Sequence, residues 1–173
     1  MMNTLHPRAI LEKLALLSTL AELKKTLRSG PWPVDTGELD GSLAAAIIAL
    51  LSGETAVPRG IGRIVAGTIL VVVPTDQEAE TFSADLAAYG VEADILPWWK
   101  TAAYRPSAQR NRIFGERAAV LARMASGAAS LVIASQRAFV TPVPPPGSFS
   151  PLVIALSVGG AIDPNDLGER LAC

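Results

Sequence analysis

The sequence has one cysteine and one histidine, and this scarcity excludes several kinds of site. The single thiol, Cys173, cannot close an internal disulfide. Together with His6 it is also too little to build a cysteine or histidine zinc centre. We therefore expect no metal site, and the absence of a disulfide framework is usual for proteins of a reducing cytoplasm.

Long apolar runs and a large net charge are also missing. The strongly apolar run ILVVVP at 69–74 is far shorter than the roughly 20 residues that cross a bilayer. The N-terminal segment is amphipathic and lacks the pattern of a secretory signal. The net charge of -1 does not provide the basic excess of a dedicated nucleic-acid-binding domain. We expect a cytoplasmic location, no membrane contact, and weak DNA binding or none.

What is present is enough apolar material for a sizeable core, since half of the 173 residues are hydrophobic. Helical spacing over 8–28 predicts one N-terminal helix within residues 1–30, with Ile10, Leu14, Leu17 and Leu20 along one side. A second helix is predicted over 42–51, where it follows a glycine and is followed by another.

Strand and helix patterns then alternate through the middle of the chain. The predicted order is a strand at 68–76 buried on both faces, a helix at 76–90, a short strand at 91–97, a helix at 111–126 and a strand at 130–135. This alternation predicts an α/β domain over 31–152, with a parallel sheet and helices on both faces. After a proline-rich break, 153–173 reads as the truncated start of a following domain, whose helix Asp163 caps and Pro164 begins.

Glycines precede the second helix in VDTGELDGSLAAAIIALL, where a phosphate-binding loop would lie. The active pattern G-x-x-x-x-G-K-[ST] needs a lysine, but alignment on Gly41 puts Ser42 in its place. The segment containing Gly37, Gly41 and Ser42 is therefore either a degenerate phosphate loop or an ordinary glycine turn. In neither case do we expect ATP hydrolysis or a bound cofactor.

An aromatic and basic stretch, LPWWKTAAYRPSAQRNRIFGERAAVLARM, occupies 96–124. Trp98, Trp99 and Tyr104 either pack as a loop over the sheet edge or form a platform for a partner or for nucleic-acid bases. Arg105 and Arg112 are either a solvated rim or contacts to such a partner. Asp76, after the first strand, is the only well-placed acid for catalysis, and a helix N-cap explains it equally well.

Arg117 is the exception on its helix, because it falls on the apolar side together with Ile113, Phe114, Val120 and Leu121. A buried guanidinium must be paired or hydrogen-bonded. Arg117 is therefore predicted to tie the helix to strand-end carbonyls or to a carboxylate. The alternative is a direct contact to a partner or to DNA.

The order of VPTDQEAETFSADL, LPWWKTAAYR, IFGERAAVLARM and SLVIASQRAFVTPVPPP resembles the N-terminal region of bacterial transcription-repair coupling factors. That region is similar to the damage-verifying, helicase-like component of the excision nuclease. The likeness runs from about residue 37 to 173, and Arg117 matches an arginine that the family places thirteen residues after the loop tyrosine, here Tyr104. Lys100 and Arg105 stand where the family has acids.

The resemblance implies a RecA-like, P-loop-like fold with a degenerate nucleotide site that does not hydrolyse ATP. It implies a scaffold role in a larger repair protein whose partners are excinuclease A, RNA polymerase and DNA. The recruiting module and the DNA-translocating motor of such proteins lie further along the chain. The alternative is a stand-alone α/β module that binds a nucleotide or DNA. The candidate contact residues remain Trp98, Trp99, Tyr104, Arg105, Arg112 and Arg117.

Overall fold

A computed structural model describes residues 6–30, 33–37, 39, 41–52, 68–99, 107–145, 154, 158–161 and 163–171. The chain divides into two units, Met1–Val143 and Pro144–Cys173. The N-terminal helices belong to the first unit, together with the sheet. No helix within the described ranges is long and apolar enough to cross a membrane.

The first unit contains six helices and three strands among its described residues, and the second contains one helix. In chain order the elements are α1 (Pro7–Ala15), α2 (Ser18–Ser29), α3 (Leu43–Ser52), β1 (Ile69–Val73), α4 (Asp76–Ala88), β2 (Asp94–Leu96), α5 (Ser107–Ala125), β3 (Leu131–Ser135), α6 (Gln136–Val140) and α7 (Pro164–Leu171).

The three strands form one parallel sheet in the order β1-β3-β2. The chain therefore passes over the place of β3 on its way from β1 to β2, and returns to fill it. Because parallel crossovers are right-handed, this reversal of direction puts α4 and α5 on opposite faces of the sheet. The predicted α/β class, with a parallel sheet flanked by helices, is confirmed.

Two apolar cores cover the two faces of the sheet. Alternate residues of β3 serve both, since successive side chains of a strand point to opposite faces. Leu131 and Ile133 pack with α1, α2, α3 and α4 on the first face. Val132 and Ala134 pack with α5 and α6 on the second. As a result β3 is buried along its whole length.

The prediction that β1 is buried on both faces is wrong. Leu70 and Val72 are 39% and 44% exposed. Both belong to the second face, where the core is built from β2, β3, α5 and α6 and includes no described residue of β1. Among the described strands, β1 lies at one edge of the sheet and pairs only with β3.

The single N-terminal helix predicted over 8–28 is two helices, α1 and α2. Leu11 and Leu20 are both buried in the core of the first face. In one continuous helix these positions would lie about 180° apart, at about 100° per residue. The extended backbone of Leu17, at φ -69 and ψ 132, breaks the helix and lets both leucines reach one core. Leu17 itself, predicted on the apolar side, is 49% exposed.

Helix ends follow the expected chemistry with one correction. Thr75, not Asp76, is the N-cap of α4, and its hydroxyl accepts from Glu78 N at 3.1 Å. The first turn of α4 still gains the acidic side chains of Asp76 and Glu78, which favour a helix N-terminus. In the second unit, Asn165 N donates to Asp163 Oδ1 at 2.8 Å, which confirms the predicted cap of α7.

Candidate functional site

The carboxyl ends of the three strands lie at one edge of the sheet, and the segments that follow them hold several candidate residues. Pro74 and Thr75 follow β1, Pro97, Trp98 and Trp99 follow β2, and α6 follows β3 directly. In open α/β sheets this is the edge at which ligands bind. These segments are therefore the place where a functional site is expected.

Arg117 connects two of these segments, the one after β2 and α6. It is 2% exposed. Its Nη1 donates to Pro97 O at 2.9 Å, and its Nη2 donates to Ala138 O at 3.3 Å and to Thr141 O at 3.4 Å. One guanidinium thus joins α5 to the segment after β2 and to the end of α6. The predicted tie to carbonyls after the strands is confirmed, and the buried side chain offers no surface to DNA or to a partner.

The charge of Arg117 survives its burial. Desolvation lowers the pKa of Arg117 from its ordinary value. A guanidinium nevertheless stays protonated at neutral pH, because its ordinary pKa lies far above neutrality. The three carbonyl oxygens therefore accept from a cation, and such charge-assisted bonds are stronger than neutral ones.

The two tryptophans are half-buried, and each has a guanidinium against its ring. Arg117 Cζ lies 5.7 Å from the ring centroid of Trp99, and Arg137 Cζ lies 5.1 Å from that of Trp98. Cation–π contacts of this kind contribute roughly 0.5–1 kcal/mol each at partly exposed sites. Because a face of each indole is already occupied, the contacts favour a packed cover over the sheet edge rather than a stacking platform for bases.

Phe114 does not lie on the buried side of α5, where the sequence pattern predicts it. It is 59% exposed, although its helix buries Ile113, Arg117 and Val120. These three, at i, i+4 and i+7, define the side of α5 that faces the sheet, and Phe114 lies about 100° from Ile113 around the axis. The Phe114 ring instead lies against Trp99, with centroids 5.8 Å apart and planes at 32°.

The basic rim is only partly described. Arg112 Nε lies 3.4 Å from Glu116 Oε1 in an i,i+4 pair whose side chains are 78% and 50% exposed. Exposed pairs of this kind are screened by solvent and contribute little. Arg112 is therefore a solvated rim residue that is accessible to a partner. Tyr104 and Arg105 lie outside the described residues.

A cleft of about 570 Å³ opens beside Trp98, between α4, β2 and α5. Arg123 closes one side of it, donating from Nε to Asp94 Oδ2 at 2.9 Å and from Nη2 to Asp94 Oδ1 at 2.5 Å. The hydrogen bond to Asp94, with the charge of that carboxylate, raises the pKa of Arg123. The charged lining also includes Asp76, Glu80, Arg112 and Glu116.

Charged and apolar side chains line the cleft. Its described lining has no serine, threonine, cysteine or lysine that could act as a nucleophile. Within the described part of the chain, no group of three or more His, Cys, Asp or Glu residues could hold a metal ion. The arrangement places carboxylates and guanidinium groups beside Trp98.

The candidate phosphate loop lies elsewhere. Ser42 Oγ is 3.2 Å from the hydroxyl of Tyr89, which caps the end of α4. Because α4 runs back from the carboxyl end of β1 toward the start of β2, Ser42 lies at the edge where the strands begin. A phosphate loop instead follows the carboxyl end of a strand. Gly37 and Gly41, at φ +71 and φ +57, use glycine's access to the left-handed region. The position of Ser42 away from the carboxyl edge favours the interpretation as a glycine turn.

Sequence reasoning missed Arg137 and the Arg123–Asp94 pair. Arg137 had a usable signal, since it comes two residues after a predicted buried strand and therefore had to lie at the carboxyl edge of the sheet. The Arg123–Asp94 pair had no such signal in the sequence, because the two residues are 29 positions apart and nothing in a single sequence connects them.

Removal of this pair should have a small and salt-dependent cost. We expect Arg123→Ala to lower the free energy of unfolding by about 0.5–1 kcal/mol, because the pair is bidentate but its side chains are partly exposed. Urea unfolding at low and at high salt measures this, and the difference from the parent chain should shrink as salt rises. An effect that is equal at both salt concentrations would assign the loss to packing.

A scan against protein-family models found no match, and searches of curated proteins and of solved structures found none either. Function is therefore inferred from the residues, from their geometry and from the ordered resemblance of the motifs.

Proposed function

We propose that this chain is a non-catalytic, RecA-like architectural domain of a bacterial transcription-repair coupling factor, acting in nucleotide excision repair where RNA polymerase has stalled. The motifs that resemble this family occur in order through most of the chain. The three-stranded parallel sheet with helices on both faces is compatible with part of a RecA-like sheet.

The observation that carries the proposal is the buried position of Arg117. The resemblance placed an arginine at this helix position, and in the structure it ties the ends of two strand-following segments together. A buried guanidinium whose three hydrogen bonds all go to backbone carbonyls acts on architecture. This supports a domain whose role is to hold a defined shape.

The glycine segment supports the non-catalytic part of the proposal. Gly37, Gly41 and Ser42 lack the lysine that would bind the β- and γ-phosphates. Their turn also lies away from the carboxyl edge of the sheet, as the Ser42–Tyr89 contact indicates. Within the proposal, ATP is used by a motor elsewhere in the parent protein. Excinuclease A, RNA polymerase and DNA are partners of that whole protein in the cytoplasm.

A chimera tests the proposal in a cell. A bacterial coupling factor whose N-terminal region is replaced by residues 1–173 should still repair the transcribed strand faster than the other strand. The same chimera with Arg117→Ala should lose this strand bias, because the domain no longer holds its shape at growth temperature. The chimera with Arg112→Ala is the matched control, since it removes an exposed arginine from the same helix, and it should keep the bias.

The purified chain separates the alternatives. We expect no Mg-ATP turnover, and no rise in melting temperature with nucleotide, since a ligand would stabilise the folded state by mass action. Turnover that Gly41→Asp abolishes would overturn the proposal and make the chain an enzyme. Salt-dependent DNA binding that Arg112→Ala weakens would instead indicate a stand-alone DNA-binding module.

A further inference from the structure

A second cavity, of about 420 Å³, lies far along the chain from the tryptophan cleft, between α2, α3 and the segment 34–39. We call it the α2–α3 groove. Most of its lining side chains are aliphatic. Among them are Leu14, Leu17, Leu20, Leu23, Leu43 and Ile47.

The groove is open to solvent, and its apolar wall is accessible. Leu17 is 49% exposed and Leu43 is 38% exposed, so both present aliphatic surface to water. Leu17 is also the residue whose extended backbone separates α1 from α2, which holds its side chain at the mouth of the groove. Exposed apolar grooves rimmed by polar groups mark binding sites more often than single exposed leucines do.

The rim has charge of one sign. Glu22 and Asp35 are the only charged residues in the described lining, and both are exposed. Asp35 Oδ1 accepts from Gly37 N at 2.8 Å, which fixes this carboxylate at the rim. Glu22 forms no ion pair with another described residue. The rim therefore favours a partner that brings positive charge.

The secondary structure of the groove walls also indicates which secondary structure a bound partner would have. α2 and α3 already bond their own main-chain groups, and no strand edge lies in the described lining. An extended peptide would therefore find no strand edge to pair with along the described walls. A helix satisfies these groups internally and can place apolar side chains into such a groove.

We propose that the α2–α3 groove binds a basic amphipathic helix of a partner protein. Aliphatic side chains of that helix would enter between Leu17, Leu43 and Ile47, and its lysines or arginines would meet Glu22 and Asp35. The proposal does not depend on the function proposed above, since the lining of the groove includes neither Arg117 nor the residues whose carbonyls Arg117 bonds.

Two labelled peptides of equal length test the groove on the full chain. Both have leucine on one helical face, and the opposite face has lysine in one peptide and glutamate in the other. By fluorescence anisotropy, the lysine peptide should bind at least about tenfold more tightly than the glutamate peptide. Leu17→Glu should abolish this binding, and Glu22→Lys should weaken it severalfold.

Glu92→Lys is the matched control, because it makes the same charge change at an exposed residue outside the groove, and it should leave binding unchanged. Equal affinity for both peptides would overturn the proposal. So would binding that Leu17→Glu leaves intact, or equal losses with Glu22→Lys and Glu92→Lys. Self-association of the chain that Leu17→Glu abolishes would assign the groove to a second copy and would also overturn it.

Discussion

Arg117→Ala is expected to lower the free energy of unfolding by about 3–5 kcal/mol. The change leaves Pro97 O, Ala138 O and Thr141 O without the donor that each has in the structure. It also opens a cavity beneath Trp99, whose ring lies against the guanidinium. Urea denaturation followed by tryptophan emission measures the loss, and the adjacent Trp98 and Trp99 make the signal sensitive to this region.

Arg117→Lys separates the effect of the guanidinium shape from the effect of its charge, and Arg112→Ala is the control for the loss of an arginine from α5. Arg117→Lys keeps the positive charge but replaces a planar fork with a single ammonium, so we expect it to lose about 2 kcal/mol. Arg112→Ala removes an exposed arginine of the same helix and should change stability by less than about 0.5 kcal/mol. If Arg117→Ala proved as mild as Arg112→Ala, the three hydrogen bonds would not stabilise the domain and the architectural proposal would lose its main support.

The place of Arg117 could be predicted because a charge on the apolar side of a helix has few options. Its burial requires acceptors, and the nearest ones in an α/β fold are carbonyls where strands end. β1, β2, β3 and the helices between them could be predicted in the same local way. Each has a recognisable pattern of apolar residues and is followed by residues that favour turns.

The order of the strands in the sheet could not be predicted from local sequence patterns. ILVVV of β1 is more uniformly hydrophobic than LVIAS of β3, yet β3 is the central, fully buried strand. Which strand becomes central depends on how the crossovers return, and hydrophobicity along one strand does not contain that information. Phe114 was misplaced for a related reason, because only packing decides how far the apolar side of α5 turns toward the sheet.

The N-terminal helices show how packing overrides periodicity. A single helix over 8–28 satisfies the local pattern, but it would bury only one of Leu11 and Leu20. Breaking the helix at Leu17 costs some backbone hydrogen bonding and buries both leucines in the core of the first face. Full burial of the second leucine side chain contributes about 1.5–3 kcal/mol toward offsetting the break.

Leu11→Ala is therefore expected to lower the free energy of unfolding by about 2–4 kcal/mol, as a buried leucine that packs on the core of the sheet should. Leu16→Ala is its matched control, since Leu16 follows α1 directly and is 86% exposed, and it should change stability by less than about 0.5 kcal/mol. Urea unfolding of both variants decides whether α1 belongs to the domain. If Leu11→Ala were as mild as Leu16→Ala, α1 would contribute nothing to the core, and the break at Leu17 would have no energetic reason to exist.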